Sequence, residues 1–360
     1  MKDFDKDIAY ISSLSRYFAR LIKNEEYLDY ICTSYLNPIG ISDVKDILSF
    51  KVDDENNFLR SIRIAKNKIL LRLIFCDLKQ MIQYEDVVDI YSYFADLVIQ
   101  KTFAFYAESF NCKKENFYII AMGKLGGQEL NVASDIDLIF AYDNDSLDSQ
   151  QGSELAKKII YALENNDENG FVFHVDIRLR PHGSEGRLVP SLNFLEDYYL
   201  NYGREWERYA WIKNRVIVGD EDKISNLITP FVYRKYLDYK TISEIRNLKK
   251  LIKKDLNEKN KLNDIKLGIG GIREIEFIVQ AIQLIRGGKN PHLRLKNTLA
   301  SLQQIFYEKA LNKEEFTSLK AAYIFLRNTE HRLQYLDNKQ THLIPANGDL
   351  VLLSQSYNLS

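Results

Sequence analysis

The segment Ser134-Asp135-Ile136-Asp137 holds two acids at a spacing that suits metal chemistry. Side chains two apart on a strand point the same way, so Asp135 and Asp137 would stand side by side. Two unpaired carboxylates at the end of a buried strand repel each other and are costly to desolvate, a cost that a divalent cation removes. A third acid, Asp176, lies on another candidate strand. Three carboxylates can hold two metal ions about 3.5–4 Å apart for in-line phosphoryl chemistry, and hard oxygen ligands favour Mg²⁺ or Mn²⁺ over zinc. A lone D-x-D is a common chance pattern, usually a solvated loop or cap. The setting distinguishes this one: a strand, a glycine turn, ten residues (125–134), then D-I-D.

Other segments offer partners for phosphate. In Gly123-Lys124-Leu125-Gly126-Gly127, glycines let backbone N–H groups approach an anion and Lys124 adds a cation. This is neither a P-loop nor a dinucleotide fingerprint, and alone an ordinary turn explains it better. Arg178 and Arg180 share a strand face with Asp176 by the period of two, and Arg187 follows. That acid-base-base row could hold a metal and two phosphate groups, or be a plain Asp–Arg ladder on a solvated face. The stretch 203–215 carries Glu207, Arg208, Lys213 and both tryptophans. As a helix it reads equally as a surface element with internal ion pairs or as core packing. Lys266-Leu267-Gly268-Ile269-Gly270-Gly271 leads into Arg273 and Glu274 at the start of a strong helix. It could be an anion nest, although a flexible loop feeding a core helix is the simpler reading. The five histidines are scattered without ligand spacing, and His174 reads as structural or lining. No serine or cysteine nucleophile motif stands out.

The elements that must position these residues follow from periodicity. Residues 1–110 repeat apolar positions at three- and four-residue steps, as in Ile69, Leu70, Leu73, Ile74 and Leu78, which predicts a helical opening section. Phe117–Met122 and Ile136–Tyr142 are short apolar runs that predict buried strands, and Phe171–Arg180 alternates as a third, ended by Pro181. Residues 152–166 suit a helix. From about 191 the pattern is helical again, strongest at 272–286 with Ile275, Ile278, Val279, Ile282 and Ile285 on one face before Gly287-Gly288, and then at 312–340. The expected fold class is α+β and predominantly helical: a small mixed sheet flanked by N-terminal and C-terminal helical regions. Its expected divisions are 1–114 helical, 115–219 the α/β core and 220–360 bundle-like.

Bulk properties bound the function. The chain has 360 residues, 46% hydrophobic and 28% charged, with a net charge of −1. No overall cationic field gathers nucleic acid, and no basic stripe with interleaved aromatics is evident, which argues against a polymerase acting on nucleic acid. The three cysteines are far apart and lack ligand spacing, so buried reduced thiols in a reducing compartment are the expectation. No apolar stretch is long enough to span a membrane and the N-terminus lacks an apolar h-region, so a cytoplasmic location with no membrane partner is expected. The ending at Leu359-Ser360 has no clear stop signal, which suits a fragment of something longer.

Taken together, these segments carry a resemblance. The strand, Gly-Lys turn and Ser-Asp-Ile-Asp arrangement resembles the polymerase-β-type nucleotidyltransferase superfamily. More specifically, AMGKLGGQELNVASDIDLIF (121–140), VDIRLRPHGSEGRLV (175–189), GREWERYA (203–210) and KLGIGGIREIEFIVQ (266–280) look like the bifunctional glutamine synthetase adenylyltransferase/adenylyl-removing enzymes. The match runs from about 115 to 290. Residue 121 is Ala where that family usually has Gly, a departure that does not touch the metal site.

Such enzymes carry two related catalytic domains. The first removes AMP from a tyrosine of glutamine synthetase, taking in phosphate and releasing ADP, and the second attaches AMP from ATP. The segment 203–210 resembles the first better, so the resemblance implies a polymerase-β-like, adenylyl-removing domain. It further implies that Asp135 and Asp137 hold two Mg²⁺ (or Mn²⁺) ions, with Asp176 on one of them. Gly123, Lys124, Gly126 and Ser134 would contact nucleotide or phosphate, and Arg178 and Arg180 would neutralise phosphate charge. Glu207, Arg208, Lys213, Arg273 and Glu274 are further candidates. The implied partners are adenylylated glutamine synthetase, phosphate, ADP or ATP, and the nitrogen signalling protein PII. Two alternatives stay open: AMP transfer from ATP to the tyrosine, and a non-catalytic module that binds the target.

Overall fold

The structure, a computed structural model, describes residues 2–52, 54–143, 149–235 and 263–357. The helical pattern expected across 236–262 lies outside the described residues. A four-stranded sheet has the order β3-β2-β1-β4, built from β1 (Phe117–Met122), β2 (Ile136–Tyr142), β3 (Val175–Asp176) and β4 (Asn214–Val218). β1 runs antiparallel to β2 and β4, and β2 runs parallel to β3, so the sheet is mixed. Helices surround it on both sides, which gives the helix-rich α+β architecture that the sequence predicts.

The period of two sorts the sheet into two cores. Phe117, Ile119, Ala121, Ile136, Leu138 and Phe140 face one core, shared with the long helices Glu55–Leu78 and Tyr84–Ala107 and with the helix Ser149–Glu164. Tyr118, Ile120, Met122, Ile139 and Ala141 face another, shared with helices Leu192–Asn201, Glu221–Val232 and Ile272–Arg286. Both faces of β1 and β2 are therefore buried, and the runs read as continuous apolar segments for that reason. Asp137 is the register partner of Met122 and so emerges on the second face, where that face runs out of apolar cover.

Three elements depart from the sequence reading. The third strand is only Val175–Asp176 long. Beyond it the chain turns, so Arg178 and Arg180 do not continue a row with Asp176. The stretch 203–215 is not one helix: it splits into a helix Glu205–Ala210, a short turn of 3-10 helix Trp211–Lys213, and the first residues of β4. β4 was not expected. Its Asn214-Arg215-Val216-Ile217-Val218 is half-exposed over three residues, and it is pinned by Arg215 donating to both Asp96 oxygens at 2.6 and 2.8 Å. In the helix Ile272–Arg286 the buried face includes Gln280 and Gln283, while Ile285 is exposed. Gln283 donates to the carbonyls of Leu293 and Leu295, which ties that helix to the loop that follows it. Of the three cysteines, Cys76 and Cys112 are buried and Cys32 is exposed, all as free thiols.

The helix Lys313–Asp337 carries an unexpected load of buried charge. Arg327, Glu330 and His331 have almost no exposed surface. Burial first, and Arg327 next, pull the His331 imidazole down from its ordinary 6.5 to about 3. The folded state then refuses a proton that the unfolded chain accepts, so this residue costs stability as pH falls from about 6.5 towards 3. The flanking carboxylates act only lower, below the ordinary glutamate value of 4.5. The raised Asp137 carboxyl adds stability over the same window in both proteins, so between pH 7 and pH 5 the native chain should lose more urea stability, or gain less, than His331→Gln; an identical step in both proteins would contradict it.

Candidate active site

The glycine turn is a single helical turn, Gly123–Gly126, set between the end of β1 and the start of β2. Gly123 has φ of +56°, and a Cβ there would lie 2.7 Å from Asp137 Oδ2. Only glycine combines that left-handed backbone with an acid pressed against it. Gly126 is glycine for another reason: a Cβ would sit 2.2 Å from the Lys213 carbonyl oxygen. It marks a close backbone crossing beneath the site, made by the turn Trp211–Lys213 that leads into β4.

Asp137 and Asp176 are register partners on the parallel strands β2 and β3. Asp135 precedes β2 by one residue and lines the same cavity as both. Burial, then the neighbouring Asp176 and Asp135, push the Asp137 carboxyl up to about 6. The strand pairing alone therefore creates the concentration of like charge expected from the sequence. Even so, among the described residues no group of three acid, His or Cys side chains is gathered to hold a metal as it stands. Arg178 occupies one of the three acids. Both its Nε and Nη2 donate to Asp176 Oδ2, at 2.9 and 2.5 Å, and its backbone N–H donates to Oδ1 at 2.8 Å. These bonds hold the Asp176 carboxyl below its usual range.

Arg180 does something else. It is buried and donates to the carbonyls of Ile177, Gly186 and Ser184 at 2.7–3.2 Å, so it ties the loop after β3 together instead of facing phosphate. The two arginines should separate in unfolding experiments. Arg180→Ala is expected to cost roughly 2–3 kcal/mol by stranding three carbonyls. Arg178→Ala, whose side chain is 78% exposed, should leave the urea midpoint nearly unchanged. Equal destabilisation would contradict these assignments.

The cavity holding the acids measures about 590 Å³. Gly123, Lys124, Ser134, Arg178, Lys213 and Arg273 line it, as the sequence reading required of a shared site. Trp206, Tyr209 and Phe277 add an aromatic wall, with the Tyr209 and Phe277 rings stacked at 5.3 Å. Lys266, Glu276, Gln280 and Gln340 complete the polar lining; of these seven residues only Lys266 had a candidate role from the sequence, in the possible anion nest. Gly126 is buried and does not reach the cavity. Glu207 and Arg208 do not reach it either. Glu207 accepts from the Tyr198 hydroxyl and from the Arg204 N–H, capping its helix. Arg208 is fully buried against Glu205 and the carbonyls of Phe231 and Val232. Glu274 accepts from the Gly270 N–H. The Gly268–Gly271 loop is no anion nest, because the N–H groups of Gly268 and Gly271 donate to Asp264 and Gly268 carbonyls. It is the loop feeding the helix, and its Lys266 points the site's way.

Beneath the cavity lies a network of buried charge. Lys124 Nζ donates to Glu330 at 3.1 Å, and burial draws this lysine down to about 8 although Glu330 opposes the shift. Burial works against the Glu330 charge, yet Lys124 and Arg327 overcome it and hold that carboxyl far below the usual range. Lys213 donates to Glu129 at 2.6 Å and to Glu276 at 3.1 Å. Arg327 reaches the Glu129 carbonyl at 2.6 Å and the side chain of Asn131. The helix Lys313–Asp337 thus grips both the glycine turn and the segment that leads to the acids.

The chain matches the family model for glutamate-ammonia ligase adenylyltransferase over residues 6–227. It belongs to that family. A second model, PII-uridylyltransferase, matches residues 243–359, so the C-terminal part is similar to another nucleotidyl-transferring enzyme as well. Among curated relatives, the bifunctional glutamine synthetase adenylyltransferase/adenylyl-removing enzyme of Chromobacterium violaceum is 38% identical over 94% of this chain. Those of Aromatoleum aromaticum and Nitrosomonas europaea are 36% and 38% identical over 95% of it. The chain spans about 40% of the length of these relatives. Within the glutamate-ammonia ligase adenylyltransferase family match fall the glycine turn, all three acids and the whole sheet. The Arg327–Glu330 grip falls beyond it. No helix among the described residues is long and apolar enough to cross a membrane.

Proposed function

We propose that the chain removes AMP from an adenylylated tyrosine of glutamine synthetase by phosphorolysis. The observation that carries this reading is the strand pairing of Asp137 with Asp176 beside Asp135, Gly123 and Lys124, in a cavity with an aromatic wall. The relatives bear the names of both activities; the choice of removal over attachment draws on the likeness of residues 203–210 to the first domain of such enzymes.

In the reaction, an oxygen of hydrogen phosphate forms a bond to the adenylyl phosphorus while the bond from that phosphorus to the tyrosine oxygen breaks. The proton of hydrogen phosphate ends on the departing phenolate, so charge and atoms balance as ADP and free tyrosine. The donor set fits a hard divalent ion: Asp137, raised by burial and by its acidic neighbours, is relieved by a cation. Asp135 and Asp137 would hold it, with Asp176 joining on release from Arg178. Bound there, Mg²⁺ or Mn²⁺ would supply charge stabilisation to the phosphoryl oxygens and the leaving phenolate. Lys124, Lys266 and Arg273 supply positive charge for phosphate, and Trp206, Tyr209 and Phe277 offer the adenine a stacking surface. A phenol has a pKa near 10, so charge stabilisation suffices without a strong general acid. The proposed setting is the control of glutamine synthetase in the cytoplasm, with PII signalling acting on the longer enzyme.

Two parallel reactions test the direction. One combines the chain with adenylylated glutamine synthetase, phosphate and Mg²⁺; the other offers unmodified glutamine synthetase and ATP. ADP formation in the first is the expected result. AMP incorporation in the second alone would overturn removal in favour of attachment.

A further inference from the structure

Behind Ser134 and Asp135 lies a second cavity, of about 450 Å³, which shares those two residues and Gln340 with the first. Its chemistry differs. Lys66, from the helix Glu55–Leu78, lines it with only 5% of its surface exposed. The Lys66 ammonium donates to the Phe171 carbonyl at 2.7 Å and lies 4.4 Å from the centroid of the Phe171 ring. Among the described residues no carboxylate pairs with it. Lys213, also buried, has both Glu129 and Glu276 within ion-pair distance. Two further lining residues, Tyr91 and Ser134, carry buried hydroxyls that have no hydrogen-bond partner.

A buried cation without a counter-ion and two unspent hydroxyl donors are expensive to keep unless something anionic satisfies them. An apolar occupant would leave both hydroxyls without a partner and the ammonium without a counter-charge. A lysine ammonium acts as a point charge for phosphate, and hydroxyls donate to its oxygens. Burial alone draws Lys66 down to about 7, so an arriving anion meets a group that it can tip to the charged form.

We propose that this cavity is a phosphate subsite, in which Lys66, Tyr91 and Ser134 hold inorganic phosphate, or the terminal phosphate of a bound nucleotide, beside Asp135. The choice of phosphate rests on the phosphorolysis reading above, whereas its binding is measurable without that reaction. Because Ser134 and Asp135 face both cavities, a phosphate held here adjoins the site of the acids.

The test titrates the chain with inorganic phosphate, with and without Mg²⁺, followed by ³¹P line width, and separately with AMP and ADP. Lys66→Met is expected to weaken phosphate binding about tenfold, and Tyr91→Phe a few-fold, with AMP affinity unchanged. If inorganic phosphate is the occupant, ADP affinity holds with AMP; if a nucleotide's terminal phosphate is, ADP affinity falls with phosphate. Tyr91→Phe keeps the ring and carries the test should Lys66→Met fail to fold. Unchanged phosphate binding in the folded variants, or no phosphate binding by the native chain in either condition, would overturn the proposal. No target protein enters the measurement, so a failed phosphorolysis assay and an empty subsite are separate results.

Discussion

Asp137→Asn should lower phosphate-dependent ADP formation by roughly 10³-fold or more while leaving the fold standing. Asp137 is the central acid of the three: it partners Asp176 across the sheet, and Gly123 is glycine because Asp137 presses against it. Its carboxyl is held up at about 6, first by burial and then by Asp176 and Asp135. In the absence of a cation, removing that charge relieves a repulsion. The urea midpoint of Asp137→Asn should therefore match or exceed that of the native chain, even as turnover collapses. A variant that keeps turnover within a few-fold would remove the acid row from the chemistry. One that loses both turnover and stability would make Asp137 a structural residue.

The second large effect belongs to a residue far from the motif. Arg327 has no exposed surface and touches Glu129, Asn131, Tyr323 and Glu330 at once, with Glu276 at 3.9 Å. Arg327→Met fills much of its volume yet takes one of two cations from Glu330 and leaves the buried Glu129 carbonyl and the Asn131 side-chain oxygen without this donor. Breaking a buried pair from one side costs roughly 3–5 kcal/mol, far more than the whole pair is worth against apolar replacements. Equilibrium urea unfolding should show that loss. A change under 1 kcal/mol would mean that water or alternative partners reach the network. Because Glu330 also holds Lys124, the same variant should raise the KM for phosphate if it stays folded.

The comparison of these two residues shows what the sequence could reveal. β1 and β2 were legible because both faces of each are covered, which leaves uninterrupted apolar runs bounded by glycine and polar residues. The acids were legible because spacing along one strand is a local property. The helix Ile272–Arg286 was found to the residue, yet its buried face includes two glutamines that a hydrophobic periodicity cannot anticipate. β4 was hidden because its first three residues are only half-buried and follow a charged, aromatic stretch that reads as helix. The assumed row of Asp176, Arg178 and Arg180 failed because period-two reasoning presupposes a strand, and the strand ends at Asp176. The bond from Lys124 to Glu330 spans 206 residues of sequence, and nothing local in the Lys313–Asp337 helix announces it. Buried charge in a helix carries no hydrophobic period, and its meaning emerges only when the partners are folded together.

The central claim is that phosphate takes AMP from tyrosine at the Asp135, Asp137 and Asp176 site. Its most direct test supplies the chain with adenylylated glutamine synthetase, Mg²⁺ and ³²P-labelled inorganic phosphate. Label is expected in the β-phosphate of ADP, in step with the tyrosine freed, and none with Asp137→Asn. Release of unlabelled AMP, or labelled ADP formed equally well by Asp137→Asn, would contradict it.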